Sequence, residues 1–157
     1  MPPSGCTVRP AAACDSPALL ALMRELAVFE GYSAQFRVTE QDLLARGLQA
    51  DGSPQFAALV AQAGNGPLLG YAVTCLLPFT FDLRPSLVLK ELYVLAQARG
   101  QGIGQALMAG VLAQAHQHGC GRIKWDVLPH NHAAKAFYRA FGARQDTAWE
   151  GWIRHLP

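Results

Sequence analysis

Residues 87–112, LVLKELYVLAQARGQGIGQALMAGVL, hold the pattern that decides the fold. The first eight residues are mostly apolar, with β-branched and aromatic side chains among them, which predicts a strand. Glycines then alternate with other residues at Gly100, Gly102 and Gly104. After them, apolar residues recur at every fourth position: Ile103, Leu107, Val111 and Ala115. That spacing is typical of one helix face, so the stretch predicts a strand, a glycine loop and a helix.

Glycines at the start of a helix suit a phosphate group. Glycine lets the backbone approach a ligand closely, and the first helical turn offers unsatisfied N–H donors with a positive partial charge. Together they form an anion site, to which Arg99 adds a charge-assisted contact. The nucleotide P-loop is excluded because no Gly-Lys-Ser/Thr tripeptide occurs, and the dinucleotide fingerprint has a different glycine spacing. On the glycines alone, a tight turn without a ligand explains the loop equally well.

Length and composition indicate a single ordered domain over residues 1–157. The chain is 51% hydrophobic and 15% charged, with a formal net charge of +2. Charges of both signs are interspersed, so there is no basic stripe for nucleic acid, and no apolar run is long enough to cross a membrane. Residues 1–5 lack the basic and apolar segments of a secretory signal. We therefore expect a cytoplasmic protein without nucleic-acid or membrane partners.

Cysteine and histidine spacing argues against a metal site. The four cysteines are scattered and form no C-x-x-C pair: Cys6, Cys14, Cys75 and Cys120. His116 and His118 are two residues apart on a predicted helix, so they do not share a face. Scattered thiols are typical of a reducing cytoplasm. No metal is expected.

Periodicity and turn signals predict the element order β-α-α-β-β-β-α-β-α-β. Helices are predicted to begin at Asp15 or Ser16, after Thr39, at the glycine loop and after Asn131. Strands are predicted at residues 7–10, 55–63, 68–79, 87–94 and 122–128, the last as an interior strand, with one or two more within 143–155. A meander followed by a helical crossover implies an α/β (α+β) fold, a mixed sheet with helices on both faces.

Two segments resemble motifs of one enzyme family. Residues 97–104, QARGQGIG, look like the acetyl-coenzyme A pyrophosphate loop, Q/R-x-x-G-x-G/A, of the GCN5-related N-acetyltransferases (GNATs). Residues 131–143, NHAAKAFYRAFGA, are similar to the N-x-x-A-x-x-F-Y-x-x-x-G-A/F motif of that family. The resemblance implies a GNAT-like, mostly antiparallel sheet, acetyl-coenzyme A as co-substrate, coenzyme contact by Asn131, and Tyr138 as general acid. Taken alone, Phe137 and Tyr138 are more typical of side chains that pack a helix onto a sheet.

Four further stretches resemble the diamine (spermidine/spermine, thialysine) acetyltransferase subfamily: residues 25–30 (ELAVFE), 39–44 (TEQDLL), 79–82 (FTFD) and 150–152 (EGW). This resemblance implies a homodimer with sites near the interface. The coenzyme-binding residues that it implies are Leu92, Tyr93, Val94, Arg99, Gly100, Gln101, Gly102, Ile103, Gly104, Gln105, Asn131, Ala134 and Tyr138. The candidate acceptor-binding residues are Phe29, Glu30, Asp82, Lys90, Asp126 and Glu150, with Lys124 and Trp125 also bordering the channel.

Lys90 departs from the subfamily pattern. The central strand of the subfamily usually has leucine, glutamate and aspartate in succession, whereas this chain has Leu89, Lys90 and Glu91. Adjacent residues on a regular strand point to opposite faces, so Lys90 and Glu91 need not face the same site. If Lys90 does face the acceptor, its charge repels a polycation, and a polyamine becomes a poorer acceptor.

An amine attacks a thioester only as the free base. Deprotonating an amine with a pKa of about 10 at pH 7 costs about 4 kcal/mol. A carboxylate can take the proton directly or through water, and the candidates are Glu91, Glu30, Asp82 and Asp126. Glu91 is the first choice because it lies on the central strand beside the loop, although a structural ion pair would explain it as well.

The transfer also places negative charge on the acetyl oxygen and on the departing thiolate. A free backbone N–H at Leu92 or Val94 would stabilise the oxygen, and the Tyr138 hydroxyl would protonate the thiolate. No Ser/His/Asp or Cys/His arrangement is evident, so we expect direct transfer without an acyl-enzyme.

The sequence therefore predicts an acetyl-coenzyme A-dependent N-acetyltransferase that acts on the primary amine of a small molecule, such as a polyamine, a diamine or a thialysine-like amine. Two alternatives remain open. In one, the acceptor is an amino acid, an aminoglycoside or a protein N-terminus. In the other, the chain is a coenzyme A-binding module without catalysis. Retention of Tyr138 and Glu91 favours the enzyme.

Overall fold

The computed structural model describes residues 4–157. Residues 1–3, part of the stretch considered for a secretory signal, lie outside the described residues. The strands are β1 (Cys6–Pro10), β2 (Ala57–Ala63), β3 (Leu68–Leu77), β4 (Ser86–Val94) and β5 (Arg122–Lys124). The helices are α1 (Ser16–Glu30), α2 (Glu40–Leu43), which continues as a π-helical turn over Leu44–Leu48, α3 (Ile103–Gln117) and α4 (His132–Ala140).

The five strands form one mixed sheet in the order β1-β2-β3-β4-β5. The pairs β1–β2, β2–β3 and β3–β4 are antiparallel, and the pair β4–β5 is parallel. A parallel neighbour requires a crossover connection, which α3 supplies between β4 and β5. The predicted fold class, a mixed and mostly antiparallel sheet flanked by helices, is confirmed.

The helices cover both faces of the sheet. On one face, α1 and the sheet share the main core, with buried side chains from both: Leu19, Met23, Leu26, Val60, Tyr71 and Val73. On the other face, α3 lies so close that a side chain at Gly110 would begin 2.8 Å from Leu59 Cδ1. The fourfold series Ile103, Leu107, Val111 and Ala115 is buried on that helix, as its spacing predicts.

Two helix starts follow their sequence signals, and one differs. Thr39 caps α2 by accepting from the backbone N–H of Asp42, and Asn131 caps α4 by accepting from Ala134. Asp15 precedes α1 but makes no capping hydrogen bond to that helix. Its carboxylate instead binds the Arg9 guanidinium at 2.7 Å and the backbone N–H of Ala12. A nearby cation on β1 therefore holds the side chain that would otherwise cap α1.

β3 and β4 change register at one point. Val73 lies opposite Glu91, but the next residue, Thr74, lies opposite Leu89. Lys90 is therefore an extra residue of β4 without a partner on β3. Such an insertion is a β-bulge, which leaves one residue unpaired and bends the strand.

The bulge decides which face carries Glu91. Thr74 donates a hydrogen bond of 3.1 Å to Gln114 of α3, so Thr74 and its partner Leu89 lie on the α3 face. Glu91 pairs with Val73, which belongs to the core shared with α1. In a regular strand Leu89 and Glu91 would point to the same face. Here the extra residue Lys90 interrupts that alternation, so Leu89 faces α3 and Glu91 faces α1.

The end of the chain differs from the prediction. Residues 143–157 form no strand or helix, so the one or two final strands predicted there are wrong. The strand predicted over 122–128 is shorter, since β5 ends at Lys124, and it lies at the edge of the sheet within the described residues. Alternating apolar residues indicate which side chains can share a face, but a strand also needs a neighbour to satisfy its backbone groups.

The chain divides into two compact units, Met1–Asp126 and Val127–Pro157. The first contains the whole sheet with α1, α2 and α3, and the second contains α4. All four cysteines are free thiols. No helix within residues 4–157 has both the length and the apolar character that a membrane crossing requires.

Candidate active site

The glycine loop has the backbone geometry that an anion site requires. Gly100 and Gly102 have φ angles of 75° and 82°, a region that glycine occupies at little cost. Gly102 is the N-cap of α3 and offers no side chain to the helix. Its carbonyl accepts from Ala106, so the N–H groups of residues 103–105 have no intrahelical partner. A side chain at Gly100 would meet no atom within 4 Å, so a ligand can approach the loop there.

Arg99 is held between the glycine loop and α1. Its Nε donates to the Val94 carbonyl at 3.0 Å, and its guanidinium lies 5.4 Å from the Phe29 ring and 5.5 Å from the Tyr93 ring. Tyr93 in turn donates to Glu25 at 3.1 Å. The structure therefore brings two predicted coenzyme residues, Arg99 and Tyr93, against the predicted acceptor residue Phe29.

Glu91 lies in a cluster of acidic and phenolic groups near the end of α1. The Tyr71 hydroxyl donates a hydrogen bond of 3.0 Å to Glu91 Oε2. Burial raises the pKa of Glu91, the hydrogen bond from Tyr71 opposes that rise, and the charge of Glu30 adds to it. Desolvation also raises the pKa of Glu30. Burial, together with the charges of Glu91 and Glu30, raises the pKa of Tyr32 to about 12.

This cluster combines two predicted residues with two that sequence reasoning missed. Glu30 and Glu91 were both candidates for the base, and Glu30 was also a candidate for acceptor binding. The negative charge of each carboxylate raises the pKa of two phenols, Tyr32 and Tyr71. Tyr71 is completely buried. Its apolar strand predicts only a core side chain, because the register that places its hydroxyl at Glu91 depends on the bulge. Tyr32 follows the glycine that ends α1 and has no sequence signal of its own.

The backbone N–H groups of Leu92 and Val94 point towards an open edge of β4. Leu95 donates to Leu69 of β3, so alternation turns the N–H groups of Leu92 and Val94 away from β3. The Val94 carbonyl, which shares that side, accepts from Arg99. β5 pairs only with residues 86–88, and within residues 4–126 no strand covers β4 beyond them. These two N–H groups are therefore placed beside the Glu91 cluster without a ladder partner in that unit.

Asp82 lies apart from that cluster. Asp82 belongs to the loop between β3 and β4, where it pairs with Arg122 at 2.8 Å. Arg122 is opposite Ser86, five residues before Glu91, which is about 16 Å along a strand. Asp126 is exposed in the loop after β5. The roles of both residues in acceptor binding stay predictions.

The second unit holds the other predicted residues. Asn131 Oδ1 accepts from the Ala134 N–H at 3.1 Å, which leaves the amide NH₂ of Asn131 for a ligand. The Tyr138 ring is partly buried and lies edge-to-face with Phe137, at 5.3 Å between centroids. Glu150 is exposed in the segment without regular structure.

The family model described as the Acetyltransferase (GNAT) family matches residues 21–143, which include the glycine loop and the Asn131–Tyr138 motif. The chain belongs to this family. The resemblance drawn from the two motifs is thus confirmed, and so is the predicted enzyme class, an N-acetyltransferase.

Sequence similarity to named proteins extends over nearly the whole chain. Thialysine N-epsilon-acetyltransferase of Mus musculus is 33% identical over 153 residues, which cover 93% of this chain and 88% of that protein. Spermidine/spermine N(1)-acetyltransferase-like protein 1 of Homo sapiens is 30% identical over 92% of this chain and 21% of its own length. Among solved structures, an integron cassette protein from V. cholerae matches with a TM-score of 0.78 at 23% identity, covering 97% of this chain and 93% of that one. The last comparison shows the fold alone.

Proposed function

We propose that this GNAT transfers the acetyl group of acetyl-coenzyme A to the primary amine of a small molecule, as a cytoplasmic homodimer. One observation carries the proposal: the partly buried Glu91 carboxylate lies on β4 beside the open edge and in the same unit as the glycine loop. The homodimer and the cytoplasmic location rest on the family resemblance and the free thiols.

The glycine loop is proposed to hold the coenzyme pyrophosphate. Acetyl-coenzyme A supplies the acetyl thioester when bound. The N–H groups of residues 103–105 and the positive end of the α3 dipole would face the phosphates, with the Arg99 guanidinium at the side of the loop. The loop is open at Gly100, so the residues present fit the group.

Glu91 is proposed to take the proton from the acceptor amine. Its raised pKa makes it a stronger base than an ordinary glutamate. The amine nitrogen then bonds to the acetyl carbon, and the bond from that carbon to sulfur breaks. The N–H groups of Leu92 and Val94 are suited to stabilise charge on the acetyl oxygen. Tyr138 is proposed to donate its hydroxyl proton to the departing thiolate.

The acceptor is proposed to be a small amine of the thialysine-like or diamine class. The 33% identity with a protein named thialysine N-epsilon-acetyltransferase supports this class. The carboxylates of Glu30 and Glu91 supply the negative charge that an amine-binding site needs.

The test is thiol release from acetyl-coenzyme A with spermidine, putrescine, thialysine, lysine, an aminoglycoside and a peptide N-terminus as acceptors. Turnover of one or more small amines is expected, and Glu91→Gln should lower kcat by about 10²–10⁴-fold. Calorimetry with acetyl-coenzyme A should give the same affinity for Glu91→Gln and the unaltered protein. Tight coenzyme binding without turnover of any amine would instead support a non-catalytic module.

A further inference from the structure

Lys90 shares its surroundings with Glu91 because of the bulge. Leu89 faces α3 and Glu91 faces the opposite side, so the unpaired Lys90 between them leaves the regular alternation. In an unbroken strand, neighbouring side chains would point to opposite faces. The positive charge of Lys90 favours the ionised forms of both Glu91 and Cys75, and so opposes the rise that burial causes in the pKa of each group. Cys75 is two residues beyond Val73 on β3, on the same face as Tyr71 and Glu91.

The charged groups on this face follow an order. Glu30 and Tyr32 lie at the end of α1, where the neighbouring Phe29 lies 5.4 Å from the Arg99 guanidinium, which is itself 5.5 Å from the Tyr93 ring of β4. From Glu91, Lys90 lies in the other direction along β4, towards Val88 and its partner Cys75 on β3. The face therefore carries carboxylates at one end and an ammonium group at the other.

Neither Lys90 nor Glu30 has an ion-pair partner among the described residues. Within residues 4–157, the ammonium group of Lys90 and the carboxylate of Glu30 form no ion pair or hydrogen bond. Lys90 is also exposed, so a bound molecule can reach it. A cation placed next to the proposed amine site weakens binding of a second cation and favours binding of an anion there.

We propose that Lys90 binds an anionic group of the acceptor, so that the preferred acceptor is an amine that also carries a carboxylate or similar anion a short linker away. This inference rests on the proposed function and narrows its acceptor class. The Cα atoms of Lys90 and Glu91 are about 3.8 Å apart, so one small molecule can span the two side chains. A diamine would place its second ammonium group against Lys90.

Three acceptors of equal chain length test this assignment. 5-Aminopentanoate, pentylamine and cadaverine share a primary amine and differ at the far end, which is a carboxylate, a methyl group or an ammonium group. For the unaltered protein, kcat/KM by thiol release should favour 5-aminopentanoate over cadaverine by at least about tenfold, with pentylamine between them. Because cadaverine has two equivalent amines, its kcat/KM is divided by two before the comparison.

Variants of Lys90 give the decisive comparison. Lys90→Met should remove the preference of 5-aminopentanoate over pentylamine, and Lys90→Glu should reverse the order so that cadaverine is favoured. Arg46→Gln, which removes an exposed cation paired with Asp42 on the α2 segment, is the matched control and should leave all ratios unchanged. Ratios within one variant are independent of its folded fraction.

Each remaining outcome counts against a specific claim. An unchanged ratio in Lys90→Met would overturn the role of Lys90 while the acetyltransferase proposal stands. A preference for cadaverine in the unaltered protein would do the same. Absence of turnover with every amine in all variants, with acetyl-coenzyme A still bound, would overturn the proposed function and this inference with it.

Discussion

The Tyr71 hydroxyl donates a hydrogen bond of 3.0 Å to Glu91 Oε2 across the β3–β4 pair. Tyr71 is completely buried, so water does not replace this donor. Burial and the neighbouring Glu30 disfavour the charged form of Glu91, and the phenol favours it. The hydrogen bond therefore limits how far the pKa of Glu91 rises and orients the carboxylate on the strand.

Tyr71→Phe should move the acid limb of kcat/KM to higher pH. Loss of the donor removes stabilisation of the carboxylate, so the pKa of Glu91 rises and the base is protonated over a wider range. At pH values on the acid limb, kcat/KM of the variant should be lower than that of the unaltered protein by about tenfold or more. The reason is that a hydrogen bond to a charged group contributes about 1.5–3 kcal/mol. The measurement is a pH profile of thiol release. In a Glu91→Gln background the same substitution should shift nothing; a shift there would assign the limb to another group.

Gly102→Asp should weaken acetyl-coenzyme A binding by more than tenfold, measured by calorimetry. The substitution places a negative charge at the proposed phosphate-binding site, at a residue with a φ angle of 82°. Gly102→Asn is the matched control, because asparagine has the same shape, tolerates this backbone region and carries no charge. Equal affinities for the two variants would mean that charge at this position does not matter and that the phosphates bind elsewhere.

Tyr138→Phe should lower kcat by about 10²-fold or more while the dissociation constant of acetyl-coenzyme A stays the same. The ring and its edge-to-face contact with Phe137 are retained, and only the proton donor is lost. Single-turnover kinetics at saturating substrates measure the effect. Unchanged turnover would remove Tyr138 as general acid and leave it a packing residue of α4.

Asp15→Asn should lower the free energy of unfolding at pH 7 by about 1–3 kcal/mol, because it removes a hydrogen-bonded partner of Arg9. The Arg9 guanidinium lowers the pKa of Asp15 below its ordinary value of 3.8. A lowered carboxyl pKa stabilises the folded state above the unfolded-state pKa, and this contribution is lost as the pH falls through the folded-state value. Urea unfolding should thus show a difference at pH 7 that shrinks below pH 3.8.

The exposed Asp51, which lies in the turn before β2, offers the control for that experiment. Asp51→Asn should change the unfolding free energy by less than about 0.5 kcal/mol, as is usual for surface substitutions. A pH-independent loss in Asp15→Asn would indicate that packing, and not the ion pair with Arg9, accounts for the effect.

Local features of this protein were predictable from the sequence. The glycine loop, the buried face of α3 and the caps at Thr39 and Asn131 each depend on residues within a few positions of one another. Helix spacing and capping are short-range effects, so the order of residues is enough to predict them. The two motifs were specific enough to predict the family as well.

The Glu91 cluster was predictable only in part. Glu91 and Glu30 were candidates by residue type, but Tyr71 is twenty residues away from Glu91 in the chain and meets it only through strand pairing. The final strands were predicted from alternation and did not form, because alternation does not provide a partner strand.

The sequence by itself determined the family, the strand–loop–helix unit and the composition of the candidate site. The tertiary structure decided which side chains face each other. One extra residue in β4 moves Glu91 from the α3 face to the α1 face and leaves Lys90 beside it. Side-chain direction along a strand alternates residue by residue, so a single change of register reverses it, and register depends on the neighbouring strand.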